Sequence, residues 1–353
     1  MDADRFGLAQ GELVTRTVAV VIPCYRVKKH ILPLIAAIGP EVGRIYVVDD
    51  KCPEQSGLHV EAACTDPRVT ILFHAVNQGV GGAVVTGYLA AIADGADVVI
   101  KLDGDGQMNP ALIPLFVGPI LSGRADYVKG NRFYNIEDLR SMPRVRLFGN
   151  AVLSFMVKLS SGYWNIFDVT NGYTAIDARV LAQIPLEKLA SRYFFESDFL
   201  FRLGTVNACV IDLPMTAVYA DEESGLKIGR ILVPFLAGNV KNTFKRLFYG
   251  YFLRGFSIAS VELVIGVAAI LFGMIFGADR WIHSAVTGTA ATTGTVMLAA
   301  LPIVLGVQLL LSFLAFDFAA VPSRAISPLL NPVRARLAAR AAERPVERTV
   351  RLA

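Results

Sequence analysis

Cysteine is scarce in this 353-residue chain: Cys24, Cys52, Cys64 and Cys209 are the only four, with no CxxC pair and no regular spacing. That excludes a disulfide-stapled secreted module and implies reduced thiols facing a cytosol. Histidine is equally sparse. His30, His59, His74 and His283 show no HxxxH or HExxH spacing, which argues against a zinc hydrolase. No GK[ST] follows the glycines at 79–82, so they do not form a Walker-type phosphate loop. Charged residues are only 18% of the chain, against roughly 25% in an ordinary soluble domain. A net charge of +4 is too mild for bulk nucleic-acid binding. No internal repeat is found. What the chain does have is apolar residues, 54% of the total, which excludes disorder over most of its length.

That excess is concentrated near the C-terminus. Residues 1–227 read as an ordinary globular domain. Residues 256–277 form an apolar stretch broken by one charge, Glu262, and residues 296–316 form a second with none. About 20 such residues span the hydrocarbon core of a bilayer, so two transmembrane helices are expected within 256–321. A carboxylate at mid-bilayer costs about 2.5–3.5 kcal/mol, so Glu262 is expected near the interface or against the partner helix. The connector carries one basic residue, Arg280. Lys241, Lys245, Arg246 and Arg254 precede the first span, and Arg324, Arg334 and Arg336 lead a basic tail over 322–353. This asymmetry predicts both termini on the cytosolic side of the inner membrane. The first 20 residues carry no signal-peptide core. Between domain and spans, residues 228–255 place apolar residues at three- and four-residue steps with Lys241, Lys245 and Arg246 between them. This is an amphipathic helix, lying on an anionic membrane face or packed on the soluble domain.

The soluble part alternates strands and helices. TVAVVIP (17–23), RIYVVDD (44–50), VTILFHA (69–75) and the run over 96–106 read as strands; 28–39 and 79–94 read as helices, the latter with small residues Gly79, Gly82, Ala83 and Gly87 for close packing on a sheet. The rhythm implies an α/β fold with a mostly parallel sheet and helices on both faces. Ligands bind such sheets beyond the carboxyl ends of the strands, where Pro23, Asp49, Asp50 and Asp103 stand.

The most informative constellation is Asp103-Gly104-Asp105-Gly106-Gln107. Two acids two apart at a strand end, with glycines that let a ligand approach, offer hard oxygen ligands suited to Mg²⁺ or Mn²⁺. A nucleoside diphosphate uses such a cation both to be held and to leave. The bland reading is an acidic turn. A calcium loop does not fit, because the twelve-residue pattern ending in Glu is missing.

VVIPCY (20–25), VVDD (47–50), NQGVGGA (77–83), DGDGQ (103–107), GNR (130–132), RLFGN (146–150), DVTNGY (168–173) and SGLK (224–227) follow one another in an order and spacing that resembles the family 2 glycosyltransferases. The likeness is to the polyprenyl-phosphate glycosyltransferases related to dolichol-phosphate mannose synthase and the bactoprenol glucosyltransferases, and it covers about residues 17–255. It implies a GT-A (Rossmann-like) catalytic domain, a juxtamembrane amphipathic helix and two transmembrane helices. It also implies inverting transfer of a sugar from a nucleotide-diphosphate sugar, UDP-linked, to a polyprenyl phosphate such as undecaprenyl phosphate. Carried over position by position, Pro23, Tyr25 and Asp49 or Asp50 line the base and ribose pocket. Asp103, Asp105 and Gln107 hold the metal and the donor diphosphate. Arg132, Arg146 and Asn150 meet the acceptor phosphate, and Lys227 adds charge near the diphosphate. Related membrane-anchored enzymes can form tetramers, so a homo-oligomer is a possible partner state. The chain departs from the mannose-synthase pattern at Arg26-Val27, at Lys51-Cys52 and in DGDG for DAD, which leaves the sugar open.

The acceptor chemistry has its own physical support. A phosphate monoester has a second pKa of about 6, so it is already nucleophilic at cytosolic pH and needs cations, not a base. Arginine forks suit its oxygens. A rival is transfer to a sugar hydroxyl, which needs a base; Glu196 and Asp198 are the candidates. The QxxRW signature of the polysaccharide synthases is missing, the one RW pair being Arg280-Trp281 in the connector. A third reading, a non-catalytic membrane scaffold, predicts no divalent-dependent nucleotide binding.

Overall fold

The computed structural model describes residues 16–134, 144–215 and 228–333; of 144–148, 228–232 and 331–333 only the backbone is described. These residues form two compact units. The first runs to Thr243 and resumes at Pro322; the second is Phe244–Val321.

The first unit is built on a seven-stranded sheet. Its strands are β1 (Val18–Cys24), β2 (Arg44–Asp49), β3 (Val69–Phe73), β4 (Val98–Lys101), β5 (Tyr127–Asn131), β6 (Thr174–Asp177) and β7 (Val210–Pro214), in spatial order β3-β2-β1-β4-β6-β5-β7. The first four are parallel; β1, β2 and β4 are buried on both faces, as expected of parallel strands, while β3 at the edge is only partly covered. β6 runs antiparallel to both β4 and β5, and β7 is parallel to β5. The carboxyl ends of β1, β2, β4 and β5 therefore share one edge, and β6 begins there. Helices α1 (Ile31–Ala36), α2 (Ser56–Ala63), α3 (Val80–Ala93), α4 (Ile113–Leu121), α5 (Arg144–Ser161), α6 (Ala178–Leu181) and α7 (Phe195–Thr205) flank the sheet. The core on one face gathers Val20, Ile22, Ile45, Val47, Ile100, Phe116 and Tyr173. On the other face α3 presses so close that a Cβ at Gly87 would lie 2.2 Å from Val21 Cγ1.

Helix α8 (Ile228–Phe248) packs one face on the soluble domain, as one of the two readings expected, and leaves apolar residues of another face exposed. Phe235 meets the Phe194 ring edge-on at 5.2 Å. Asn239 Oδ1 accepts from the Ser160 hydroxyl (2.7 Å), and Asn242 Nδ2 donates to Asp198 Oδ1 (3.0 Å). Val233, Leu236 and Val240 stay exposed. At the opposite edge of the sheet from the strand ends described above, buried Asp126 accepts the N–H groups of Cys209, Ile326 and Ser327 (2.8–2.9 Å). The basic tail expected from residue 322 thus begins with a segment docked on the first unit; residues 334–353 lie outside those described.

The second unit holds α9 (Ile258–Thr287) and α10 (Thr293–Ala319), both long and apolar enough to cross a membrane. They cross at Gly266 and Gly306, where each glycine's absent Cβ would fall on the other's carbonyl oxygen, at 3.1 and 2.7 Å. Small residues at such a crossing let two helices approach closely in lipid. Glu262 faces the partner helix: its Oε1 accepts from the Ser312 hydroxyl at 2.8 Å. Asp317 is buried and accepts both terminal nitrogens of Arg246 (2.7 and 3.0 Å) and the Tyr251 hydroxyl.

Candidate active site

The last residues of β4 bring the metal-type motif to the edge of the sheet. Asp103 and Asp105 are half-buried on either side of buried Gly104. Asp105 Oδ1 accepts the Gln107 N–H at 3.0 Å, which folds the turn back on itself. Gly106, at φ +76°, takes the left-handed conformation that the turn needs. Among the described residues no group of three or more His, Cys, Asp or Glu converges. A cation here would take two carboxylates and complete its shell from phosphate oxygens and water, which is how Mg²⁺ is ordinarily held beside a nucleotide. The donor set of Asp103 and Asp105 fits that role.

Behind the motif lie two buried lysines that the sequence reading missed. β6 pairs Thr174 with Lys101 on one side and with Lys129 on the other. The Lys101 ammonium donates to Asp103 Oδ1 (2.7 Å), to the Gly172 carbonyl (3.3 Å) and to Glu196 Oε1 (3.4 Å). Burial works against its charge, but the Asp103 and Glu196 carboxylates outweigh burial and raise its pKa above the usual lysine range. Lys129 donates to the Asn171 carbonyl. Burial pushes its pKa down to about 8, with Glu196 and Asp168 opposing. The signal in the sequence was a lysine closing VVIK and another inside YVKGN: a charge within a strand otherwise covered on both faces needs a buried partner.

The two lysines hold a segment that joins the halves of the site. Asp168 is fully buried and carries Arg132: Nε–Oδ2 is 2.7 Å, Nη2–Oδ1 is 3.1 Å, and the Arg132 N–H adds 3.2 Å. Four residues on, a Cβ at Gly172 would lie 2.1 Å from Asp103 Oδ2. One short stretch, 168–172, thus touches the Asp103 carboxylate at one end and fixes Arg132 at the other. Asn171 locks it further, donating to the Gly130 carbonyl at 2.9 Å. Helix α5 is tied to the same stretch through Ser154 Oγ and the Phe167 carbonyl (3.0 Å), one turn beyond Asn150.

The remaining expected site residues divide. Tyr25 is exposed at the end of β1, with the Arg26 guanidinium 5.5 Å above its ring, and Pro23 is half-buried beside it. Asp49 and Asp50 are buried and hold backbone. Asp49 accepts the Cys52 and Gly57 N–H groups (both 2.7 Å). Asp50 accepts those of Gln78 and Gly79 (2.7 and 2.8 Å) and pairs with His74 Nδ1 at 2.8 Å. Of the two candidate bases, Glu196 belongs to the Lys101 cluster. Asp198 does not reach it: its carboxylate accepts from Ala190 N–H, Arg202 Nε and Asn242 Nδ2 (3.0–3.1 Å) and anchors α7 to α8. Of Arg146 the structure describes only the backbone, in the first turn of α5, and Lys227 lies outside the described residues.

Residues 19–184 match the family described as glycosyl transferase family 2. A UDP-N-acetylglucosamine–dolichyl-phosphate N-acetylglucosaminyltransferase of Methanococcus voltae is 31% identical over 44% of this chain and 61% of its own length, so the chain spans less than two thirds of that relative. An undecaprenyl-phosphate mannosyltransferase of Micrococcus luteus is 30% identical over 49% of this chain and 71% of its own. Among solved structures, the glucosyl-3-phosphoglycerate synthase of Mycobacterium tuberculosis, in complex with Mn²⁺, UDP and phosphoglyceric acid, superposes with a TM-score of 0.52 at 19% identity. That likeness covers 68% of this chain and 82% of that one, and it shows a shared GT-A fold.

Proposed function

We propose a donor, an acceptor and a membrane face for this chain, which belongs to glycosyl transferase family 2. The donor is a UDP-linked sugar, the acceptor a polyprenyl phosphate such as undecaprenyl phosphate, and the catalytic unit stands on the cytosolic side. The observation that carries this reading is the 168–172 stretch, which holds Arg132 through Asp168 at one end and touches the Asp103 carboxylate at Gly172 at the other. Two relatives are named for prenyl-phosphate acceptors, and two solved neighbours of the same fold hold Mn²⁺ or Mg²⁺ with UDP.

Asp103 and Asp105, with Gln107, would hold the cation and so the donor diphosphate. When bound, Mg²⁺ or Mn²⁺ neutralises charge on the departing nucleotide. Pro23 and Tyr25 would meet the base, in a pocket shaped by the loops that Asp49 and Asp50 fix. Arg132, with Arg146 and Asn150, would receive the acceptor phosphate, and Lys227 would add charge near the diphosphate. Asp168 holds the Arg132 side chain in one orientation, so little entropy is lost when an anion arrives. A phosphate oxygen then attacks the anomeric carbon as the bond to the diphosphate breaks, which inverts that carbon and releases UDP. The dianion needs no base, and neither candidate acid is placed to serve as one: Asp198 is consumed in packing and Glu196 shares the Lys101 ammonium. The hairpin anchors the chain, and the exposed Val233, Leu236 and Val240 of α8 rest on the bilayer surface.

The test uses the full chain in detergent, a panel of UDP- and GDP-sugars, and undecaprenyl phosphate against undecaprenol, with glycolipid read by mass. The expected product appears with the phosphate alone and requires a divalent ion. Equal transfer to the neutral alcohol would remove the acceptor assignment.

A further inference from the structure

A lysine pointed at a carboxylate expected to hold a metal is an odd choice, because it competes for the same oxygen. Lys101 is 2% exposed and cannot swing into water. Its ammonium has three donors and three acceptors, Asp103 Oδ1, Gly172 O and Glu196 Oε1. The absent Cβ of Gly172 would lie 2.4 Å from Nζ, so the segment above seals the lysine in place with no gap. A positive charge is therefore fixed 2.7 Å from one of only two carboxylates in the motif.

We infer that Lys101 is a positioning residue that makes cation binding at Asp103 and Asp105 conditional on the donor's diphosphate. The inference rests on the donor reading above. The ammonium orients the Asp103 carboxylate by holding Oδ1. It also repels a divalent ion that would sit on Oδ2 or Asp105 a few ångströms away. Alone, two aspartates facing that repulsion make a weak site. A diphosphate adds at least two negative charges and its own oxygen ligands, and the balance reverses. Glu196 sets the degree: by sharing the ammonium at 3.4 Å it leaves Asp103 part of its charge. The enzyme thereby avoids filling its site with metal before the sugar nucleotide arrives.

Mn²⁺ binding to the full-length protein, followed by electron paramagnetic resonance with and without UDP, tests this. Wild type should bind Mn²⁺ at least tenfold more tightly with UDP than without. Lys101→Met should bind Mn²⁺ alone at least tenfold more tightly than wild type, so that the UDP dependence shrinks. Glu196→Gln should weaken Mn²⁺ binding without UDP several-fold. A merely structural lysine predicts the reverse for Lys101→Met: weaker binding in both conditions, or no change without UDP, and either result overturns the inference. Should Lys101→Met fail to fold, Glu196→Gln decides, and unchanged or tighter Mn²⁺ binding in it overturns the inference as well. If wild type shows no UDP-supported Mn²⁺ signal, the donor reading itself falls and this falls with it.

Discussion

Asp49-Asp50 and Asp103/Asp105 are written alike, as acids closing a β-branched strand, yet the fold uses them in opposite ways. The pair after β2 is buried, and its oxygens are filled by four backbone N–H groups and a histidine. The pair after β4 is half-buried at the open edge, with a lysine beneath Asp103. A carboxylate that accepts backbone N–H groups from two loops is an architectural part, and removing it strands buried donors. A carboxylate left partly open beside a second one can hold something that is not protein. Partner number and exposure, rather than residue type, separate the two.

Substitution at each pair should sharpen that contrast. Asp105→Ala should cost the most in activity, roughly a hundred- to a thousandfold in turnover by the scale of lost electrostatic stabilisation, with the unfolding temperature within a few degrees of wild type. Turnover within tenfold of wild type would end the metal role. Asp49→Ala should instead cost stability. It leaves the Cys52 and Gly57 N–H groups without their acceptor, at about 1–3 kcal/mol each. Thermal unfolding of the purified chain measures this, and an unchanged midpoint would erase the distinction.

What the sequence made legible follows the same line. β1 to β4 were readable because each is a run rich in β-branched residues, which reads as a strand wherever it falls in the sheet. β6 reads Thr-Ala-Ile-Asp, and β5 carries Lys129, Gly130 and Asn131, so neither is a continuous β-branched run. The DGDGQ motif was legible because glycine and paired acids at a strand end are local features. The Lys101–Glu196 and Arg132–Asp168 pairings were not, because their members lie 95 and 36 residues apart in the chain and meet only when antiparallel β6 enters the sheet. The packing of Asp198 was hidden for the same reason: its partner Asn242 belongs to a helix whose inward face could not be chosen from periodicity alone.

Strand β7 offers a further carboxylate that belongs to neither class, and it gives the smallest of the expected effects. Asp212 on β7 accepts the Phe167 N–H (2.8 Å) and Asn131 Nδ2 (3.1 Å) through Oδ2, while Oδ1 is buried with no hydrogen-bond partner among the described residues. Burial raises its pKa from 3.8 to about 6, against the opposing Phe167 N–H and Lys129. The sign follows from proton linkage. Below about pH 3 the folded and unfolded chains both carry the proton. Between there and pH 6 the folded chain keeps a proton that the unfolded chain has released, so stability falls as pH rises. Well above pH 6 the fold bears the full cost of a buried charge, about 3 kcal/mol. Asp212→Asn keeps the acceptor for Phe167 and removes the charge. Its unfolding midpoint should exceed that of wild type by about 6–12 °C at pH 7.5 and match it near pH 3. Parallel curves for the two proteins across that range would mean that Asp212 is already compensated, and would move it into the class of Asp49 and Asp50.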